Sequence, residues 1–203
     1  MGRTSDARER LIGAMNELIW LGSYGSTSVD HICERAEVRK GSFYHYFPGK
    51  ADLALAAIDE AAIEIFATLD HIYSPTVPPL ERIRNEARWG YEHQAEITKR
   101  FGRVLGCPLF SLGAEIGTLD EALCLKVKEI LDKHLHYYES ALRDAQREKL
   151  IAPGPVAPVA RRLLAYAEGM LTQARINNDL SYVKEIEQGF SAMLDILALR
   201  KKA

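Results

Sequence analysis

The side chains best suited to chemistry lie close together near the amino terminus, in the run KGSFYHYF at residues 40–47. A cation, hydroxyl groups and an imidazole within two helical turns can hydrogen-bond to phosphate oxygens and to base edges of DNA. Phe43 and Phe47 are four residues apart and share one helical face, which we predict to point inward. Tyr46 stays open between groove and scaffold. The predicted DNA-contacting side chains on the other faces are Lys40, Ser42, Tyr44 and His45.

A second short helix is predicted just before this run. Serine and threonine hydroxyls at residues 26–28 can accept hydrogen bonds from free N–H groups at a helix start, and apolar residues then recur at helical spacing from Val29 to Ala36. Val38 lies in the turn that follows. Two short helices joined by a turn form a helix-turn-helix, whose second helix enters the major groove. Neighbouring DNA-contact candidates, which would position the backbone, are Thr27, Ser28, Arg39 and Lys50.

Flanking elements must hold these two helices in place. Residues 7–19 form an amphipathic helix with one apolar stripe. Pro48 and Gly49 end the second short helix, and Lys50 begins a long one that we predict to reach about Tyr73. The three amino-terminal helices are predicted to share a small core made of Leu11, Met15, Leu18, Val29, Ile32, Val38, Phe43 and Phe47.

This arrangement resembles the tetracycline-repressor (TetR) family of bacterial transcription regulators over about the first fifty residues. The match rests on the KGSFYHYF run, on Lys50 three residues after it, and on flanking positions such as Gly25, Thr27 and Leu53. The resemblance implies an all-α protein. It would have a three-helix DNA-binding domain at residues 1–50 and a larger ligand-binding and dimerisation domain at residues 51–203.

Two residues depart from the family pattern at the turn. Glu37 stands where the family usually has Gly, and a positive φ would be unfavourable for it. Arg39 stands where Ser or Ala is usual; it is a poor helix cap but can reach a phosphate or a base edge. These departures bear on the turn geometry and on the operator sequence.

Composition narrows the remaining possibilities. The net charge is −2, and residues 1–50 carry seven Lys or Arg against six Asp or Glu, so DNA affinity must come from a few placed cations rather than a bulk field. No apolar run approaches eighteen residues and the charged start lacks a signal segment, which predicts a cytoplasmic protein without a membrane partner. The three cysteines form no CxxC pair, so we expect no metal or other cofactor.

The carboxy-terminal part predicts a small-molecule site. Ser74-Pro75 and Pro78-Pro79 mark a linker, and Pro108 should break a helix after Cys107. A long amphipathic helix is predicted over residues 119–150, with His134 and Tyr138 on its apolar face. These two side chains are either satisfied core groups or polar anchors for an effector. The candidate effector-binding residues are Trp89, Phe101, Cys107, Phe110, His134 and Tyr138.

Two last helices, within residues 156–199, carry more apolar residues than one small domain needs. In the resembled family the corresponding helices pair into a four-helix dimer bundle, so we expect a homodimer that binds a palindromic operator in double-stranded DNA. A homodimer holds two recognition helices about 34–36 Å apart, one turn of DNA.

Three functions were weighed against one another. The preferred one is a transcriptional regulator, most simply a repressor released from its operator by an effector of unidentified chemistry. A variant of this function senses oxidants or electrophiles through Cys107, which is otherwise a small buried hydrophobe. An enzyme is disfavoured because no P-loop, GxGxxG, GxSxG or HExxH motif is present. A helical adaptor that does not bind DNA is the third.

Overall fold

The structure is a computed structural model that describes residues 2–117 and 120–199, with the side chains of residues 6–117 and 120–198. All regular elements within these residues are α-helices, which confirms the predicted fold class. The helices are α1 (Gly2–Leu21), α2 (Val29–Ala36), α3 (Lys40–Tyr46), α4 (Lys50–Ile72), α5 (Pro79–Phe101), α6 (Pro108–Ile116), α7 (Glu121–Arg147), α8 (Ala157–Asn177), α9 (Ser181–Lys184) and α10 (Ile186–Leu199).

The chain forms two compact units. The first unit combines Met1–Ile65 with Pro108–Ile130, and the second combines Phe66–Cys107 with Leu131–Ala203. Helices α4 and α7 each contribute to both units. The units thus group the chain differently from a single cut after residue 50, because α6 and the start of α7 pack with the amino-terminal helices. A functional division at residue 50 stays a prediction.

The core of the first unit contains most of the predicted residues. Leu11, Met15, Ile32 and Phe43 are fully buried, and Phe47 is nearly so, which confirms that the two phenylalanines point inward. Leu18 and Val29 are only half-buried. Their apolar side chains were correctly placed on helices but lie at the edge of the packed face.

The turn between α2 and α3 adopts the backbone conformation that glycine favours. Glu37 has φ 52° and ψ 42°, in the left-handed region, and its N–H donates to Cys33 and Glu34 carbonyls at the end of α2. Arg39 precedes α3 and makes no side-chain capping bond, as its residue type predicted. The chain therefore keeps the turn geometry of a helix-turn-helix although the local residue types disfavour it.

The predicted break before Pro108 is present. Helix α5 ends at Phe101, Gly102 takes φ 74° as its cap, and Pro108 begins α6. The predicted helix over residues 119–150 is observed as α7, from Glu121 to Arg147; Leu119 lies outside the described residues. Proline at the first position of α6 needs no backbone donor there, which is why the chain restarts a helix at this residue.

Three helices replace the two predicted at the carboxy terminus, because the short α9 separates α8 from α10. Gly189 on α10 lies directly under the Tyr166 ring of α8, where a Cβ atom would overlap the phenol. Gly169 on α8 has open space around it. Glycine at position 189 therefore lets the Tyr166 side chain pack against the backbone of α10.

Candidate DNA-binding surface and buried polar cluster

Helix α3 presents a polar face to solvent while its apolar face is buried. Phe43 is fully buried and anchors the helix against the first-unit core. Tyr44 is 53% exposed. Tyr46 is half-buried, with its ring edge-on to His45 at a centroid distance of 5.0 Å, so its role stays open. The predicted contact residues that lie exposed on or beside α3 are Arg39, Lys40, Ser42, Tyr44 and His45.

Lys40 forms an ion pair that links α3 to α2. Its Nζ lies 2.7 Å from Oδ1 of Asp30, and both side chains are more than half exposed. An exposed pair of this kind contributes little to stability, so a phosphate can compete for the ammonium group. The geometry leaves Lys40 available for the predicted contact.

Thr27 and Ser28 use their hydroxyl groups within the protein. Ser28 caps α2 by accepting a hydrogen bond from the N–H of His31 at 3.2 Å, as the sequence predicted. Thr27 is buried and donates to the carbonyl of Ser23 at 2.8 Å. Both residues shape the start of α2, and direct contact with DNA stays a prediction.

Lys50 has a structural role that its residue type alone did not reveal. Its Nζ donates to the carbonyls of Tyr24 and Thr27, each at 3.0 Å, and lies 4.0 Å from the centre of the Tyr24 ring. These carbonyls take two of the three N–H donors of the ammonium group, and contact between Lys50 and a phosphate stays a prediction. Lys50 therefore ties the start of α4 to the loop before α2.

The same loop is held from the other side by Glu115 of α6. Its Oε2 accepts from the N–H of Tyr24 at 3.0 Å, and its Oε1 accepts from the N–H of Gly25 at 2.6 Å. A Cβ atom on residue 25 would lie 2.6 Å from Oε1, so glycine permits this close approach. Sequence reasoning missed Glu115, because a single glutamate in a short helix gives no sign of a contact ninety residues away.

The predicted effector residues divide between the two units. Phe110 belongs to the first unit and is 41% exposed. Phe101 is half-buried beneath the Arg100 guanidinium, and Trp89 stacks on His93 with ring centroids 5.4 Å apart. The second unit contains all of the predicted residues except Phe110: Trp89, Phe101, Cys107, His134 and Tyr138.

A buried carboxylate brings His134 and Tyr138 together. Oε1 of Glu86 accepts from Tyr138 Oη at 2.7 Å and lies 2.6 Å from His134 Nε2, while Oε2 accepts from Tyr73 Oη. The His134 and Tyr138 rings stack with centroids 5.2 Å apart. Both side chains thus have a hydrogen-bond partner within the protein, as expected of core groups. Their geometry gives no support to the prediction that they bind an effector.

The cluster around Glu86 has a defined charge state. Burial opposes ionisation of Glu86, but His134 and the two tyrosine hydroxyls together hold its pKa below the ordinary value. Burial likewise opposes the charge on His134, yet Glu86 raises the His134 pKa above its ordinary value. Burial and the nearby carboxylate raise the pKa of Tyr73 and Tyr138 well above 10, so both stay donors. Both shifts favour the charged forms, an imidazolium beside a carboxylate.

Arg82, one turn before Glu86 on α5, connects the linker before α5 to α7 through hydrogen bonds and an ion pair. This nearly buried guanidinium binds Oδ2 of Asp144 at 2.6 Å and donates to the carbonyls of Val77 and Pro75 at 2.8 and 3.3 Å. Burial raises the pKa of Asp144 less than the hydrogen bond from Arg82 lowers it, and the net shift is downward. The linker predicted from its prolines is thus an ordered turn.

The segment before α6 is held by its backbone. Gln94 forms two hydrogen bonds with the N–H and carbonyl of Gly106, each at 3.1 Å, and Arg175 donates to the carbonyl of Leu105 at 3.2 Å. Asn178 accepts from the N–H of Val104 at 2.9 Å. These contacts fix the position of Cys107 against α8.

Cys107 meets a second buried carboxylate, Glu168 of α8. The Cys107 thiol donates a hydrogen bond to Glu168, which is only 4% exposed. Oε2 of Glu168 is buried and has no hydrogen-bond partner among the described residues. Burial raises the pKa of Glu168 to about 7, against smaller opposing effects of Cys107 and His134.

Comparison with known proteins agrees with these features. The family profile "Bacterial regulatory proteins, tetR family" matches residues 11–57, and the profile "Tetracyclin repressor-like, C-terminal domain" matches residues 80–190. The chain belongs to the TetR family. It therefore has the DNA-binding fold of a transcriptional regulator.

Individual TetR-family relatives span most of the chain. The transcriptional regulator AcuR of Cereibacter sphaeroides is 34% identical over 141 residues, which cover 69% of this chain and 63% of the relative. An HTH-type regulator encoded in the lacX 3′ region of Lactococcus lactis is 27% identical over 184 residues, 88% of each chain. The crystal structure of a regulatory protein TetR from Rhodobacter sphaeroides is 28% identical with a TM-score of 0.82, covering 92% of this chain and 98% of that one.

Two further observations concern the part of this TetR-family chain that the structure describes. No helix there is both long and apolar enough to cross a membrane. Over the same residues, no three His, Cys, Asp or Glu side chains are grouped so that they could hold a metal ion. The two buried carboxylates, Glu86 and Glu168, share no metal site with their neighbours in these ranges.

Sequence signals for these two glutamates existed but were weak. Glu86 follows the buried Ile83 and precedes the buried Ala87, and Glu168 stands one turn after Leu164 in an apolar stripe. A charged residue within an apolar stripe is expensive to bury unless it has a partner or a function. Such positions are better indicators of a polar site than His134 and Tyr138 were.

Proposed function

We propose that this TetR-family protein is a ligand-responsive repressor that binds a palindromic operator as a homodimer and leaves it when a small molecule binds. The exposed polar face of α3 is the observation that carries the DNA-binding half. Lys40, Ser42, Tyr44 and His45 all lie on a helix whose opposite side is buried. Side chains in this arrangement can reach base edges and phosphates in a major groove.

The release mechanism would be a population shift. Two recognition helices about 34–36 Å apart fit successive major grooves, and an effector that prefers a different spacing weakens binding. Helix α4 is the natural lever, because it contributes to both units and its first residue, Lys50, holds the loop before α2. The effector must bind the two states with different affinity, since tight binding alone shifts nothing.

Dimerisation would use the last helices. Ile176 of α8 is 69% exposed and Ile196 of α10 is 54% exposed, so each of these helices offers an apolar side chain that a partner subunit could cover. A permanent interface of this kind buries roughly 2,000 Å² or more. In sedimentation, the double variant Ile176→Asp, Ile196→Asp should be monomeric where the unaltered protein is dimeric. Phe190 is unsuitable for this test because it is buried within its own subunit.

The DNA-binding proposal is tested by selecting bound fragments from random duplex DNA and measuring affinity for the selected operator. Tyr44→Ala should weaken operator binding without changing thermal stability, because Tyr44 is largely exposed. Lys40→Ala should weaken binding to all sequences and lower the salt slope by about one. Lys99→Ala, an exposed lysine of α5, is the matched control. Unchanged affinity in both α3 variants would refute the assignment, and failure to select any sequence would favour an adaptor.

Thiol sensing through Cys107 is the weaker alternative. Its thiol donates to Glu168, and a neighbouring carboxylate opposes formation of the thiolate that reacts with oxidants or electrophiles. Cys107→Ser should therefore keep its response to the effector. Loss of the response in this variant would revive the sensing function.

A further inference from the structure

Glu168 is the one buried side-chain group in the described residues with an oxygen that nothing in the protein satisfies. The residue is 4% exposed, its Oε2 has no hydrogen-bond partner in those ranges, and the Cys107 thiol supplies one weak donor. Buried polar atoms in folded proteins are nearly always paired, and each exception calls for an explanation. An oxygen of this kind is where a bound molecule would place a donor.

The protein's own cation is already engaged elsewhere. His134 is the positively charged neighbour of Glu168, but its Nε2 lies 2.6 Å from Oε1 of Glu86. The Glu86 carboxylate is itself saturated by His134, Tyr138 and Tyr73. Oε2 of Glu168 receives no hydrogen bond from this cluster in the part of the chain that the structure describes.

The charges around Glu168 do not balance. The titratable groups that interact with it are Glu86 from α5, His134 and Tyr138 from α7 and the Cys107 thiol before α6. Two carboxylates and one imidazolium leave one negative charge uncompensated when Glu168 is ionised. A buried carboxyl group in this position either keeps its proton, as the raised pKa of Glu168 indicates, or is paired with a cation, so an entering cation would replace that proton.

A second copy of the chain is a poor source of that cation. Glu168 is covered by residues of its own subunit, whereas Thr172, one turn further along α8, and Gln173 and Ile176 are exposed. A surface contact between copies would reach those residues rather than a carboxylate that is almost wholly buried. The occupant is therefore small enough to enter the unit.

We propose that Glu168 is the anchor for a protonated amine of the effector, so that the effector class is a small molecule with one ammonium group on an apolar body. This inference rests on the proposed ligand-responsive function and specifies its ligand. The ammonium group would donate to Oε2, while the apolar body would lie against the surrounding side chains. The pKa of about 7 means that an incoming cation would also draw Glu168 into its ionised form near neutral pH.

The test uses two sets of molecules matched in shape but not in charge: hexylamine, 1-hexanol and hexanoate, and benzylamine, benzyl alcohol and benzoate. Their binding to the full-length protein is measured by calorimetry and by the rise in melting temperature. Hexylamine or benzylamine should bind at least tenfold more tightly than the corresponding alcohol, and the carboxylate least. Glu168→Gln should abolish this preference for the amine. The control Glu148→Gln, which changes an exposed glutamate just after α7, should keep it.

Three results would overturn the assignment: no binding of either amine at 20 mM, a preference for the carboxylates, or an amine preference that survives in Glu168→Gln. If that variant does not fold, the pH dependence in the unaltered protein decides. Amine affinity should rise several-fold between pH 6 and 8, as Glu168 ionises, and a flat profile refutes the site. An amine that binds through Glu168 without weakening operator binding would support the site while refuting effector-controlled release.

Discussion

Glu115 in the first unit and Glu168 in the second are both glutamates on helices, yet their oxygens meet different surroundings. Each oxygen of Glu115 accepts a backbone N–H from the loop before α2. Glu168 receives only the Cys107 thiol, and its Oε2 is without a partner among the described residues. A saturated carboxylate fixes a backbone, whereas an unsaturated buried one is unstable until something binds to it. The contrast separates a structural contact from a candidate recognition site.

Glu86 extends the contrast within the second unit itself. It is as buried as Glu168, but three donors satisfy it and the net effect lowers its pKa, whereas the pKa of Glu168 is raised. Burial alone therefore does not distinguish Glu168 as the candidate effector anchor. The two glutamates differ in the number of hydrogen-bond donors that reach each carboxyl group.

The largest expected effect on stability comes from removing the Glu86 carboxylate. Glu86→Ala leaves His134 and two tyrosine hydroxyls without their shared acceptor, so the free energy of unfolding should fall by about 3–5 kcal/mol. Urea denaturation at pH 7 measures it. Tyr73→Phe, which removes one donor and leaves the carboxylate in place, is the control and should cost about 1 kcal/mol. Equal losses in the two variants would show that Glu86 is not the centre of the cluster.

The second-largest expected effect is the pH dependence of stability that arises from Glu168. Burial raises the pKa of Glu168 from 4.5 to about 7, so between these values the folded protein holds a proton that the unfolded chain has lost. Stability should therefore fall as the pH rises from about 4.5 to 7, by about 3 kcal/mol, and then level off.

His134 acts in the same direction, because its raised pKa gives stability that is lost as the pH rises through that value. The Glu168→Gln variant keeps His134, so subtracting its stability curve from that of the unaltered protein isolates Glu168. Thermal denaturation from pH 5 to 8 supplies both curves. A flat difference curve would mean that Glu168 titrates as an ordinary glutamate.

A smaller loss is expected at Glu115. Glu115→Ala removes both acceptors from the loop before α2, and should cost about 1–2 kcal/mol because water can replace part of what is lost. Hydrogen exchange should then accelerate at the amides of Tyr24 and Gly25. Glu115→Gln keeps one carbonyl oxygen and should leave one of the two amides protected. Unchanged exchange at both amides in the alanine variant would argue against the contact.

The smallest effect is a gain in stability. Glu37 holds φ 52°, which costs an L-residue roughly 1 kcal/mol, so Glu37→Gly should raise the free energy of unfolding by about that amount. Glu37→Ala keeps the unfavourable conformation and should bring no gain. The two variants are compared by urea denaturation, and a glycine variant no more stable than the alanine variant would refute the strain.

The sequence by itself determined the helix-turn-helix and most of its core. Phe43 and Phe47, the Ser28 cap and the helix that begins at Lys50 follow from local spacing and residue type. So do the break at Pro108 and the poor cap at Arg39. These features depend on residues within one or two turns of each other, which is the range over which a pattern in the chain carries information.

Only the tertiary structure decided the roles of the polar side chains. Glu86 of α5 joins Tyr73, which follows α4, to His134 and Tyr138 of α7. Glu115 reaches back to Gly25, and Lys50 binds carbonyls more than twenty residues away. A hydrogen bond forms wherever packing brings a donor to an acceptor, and nothing in the spacing of either segment specifies the other. The apolar stripes set which helices pack together, and that packing then determined which carboxylates became satisfied and which one did not.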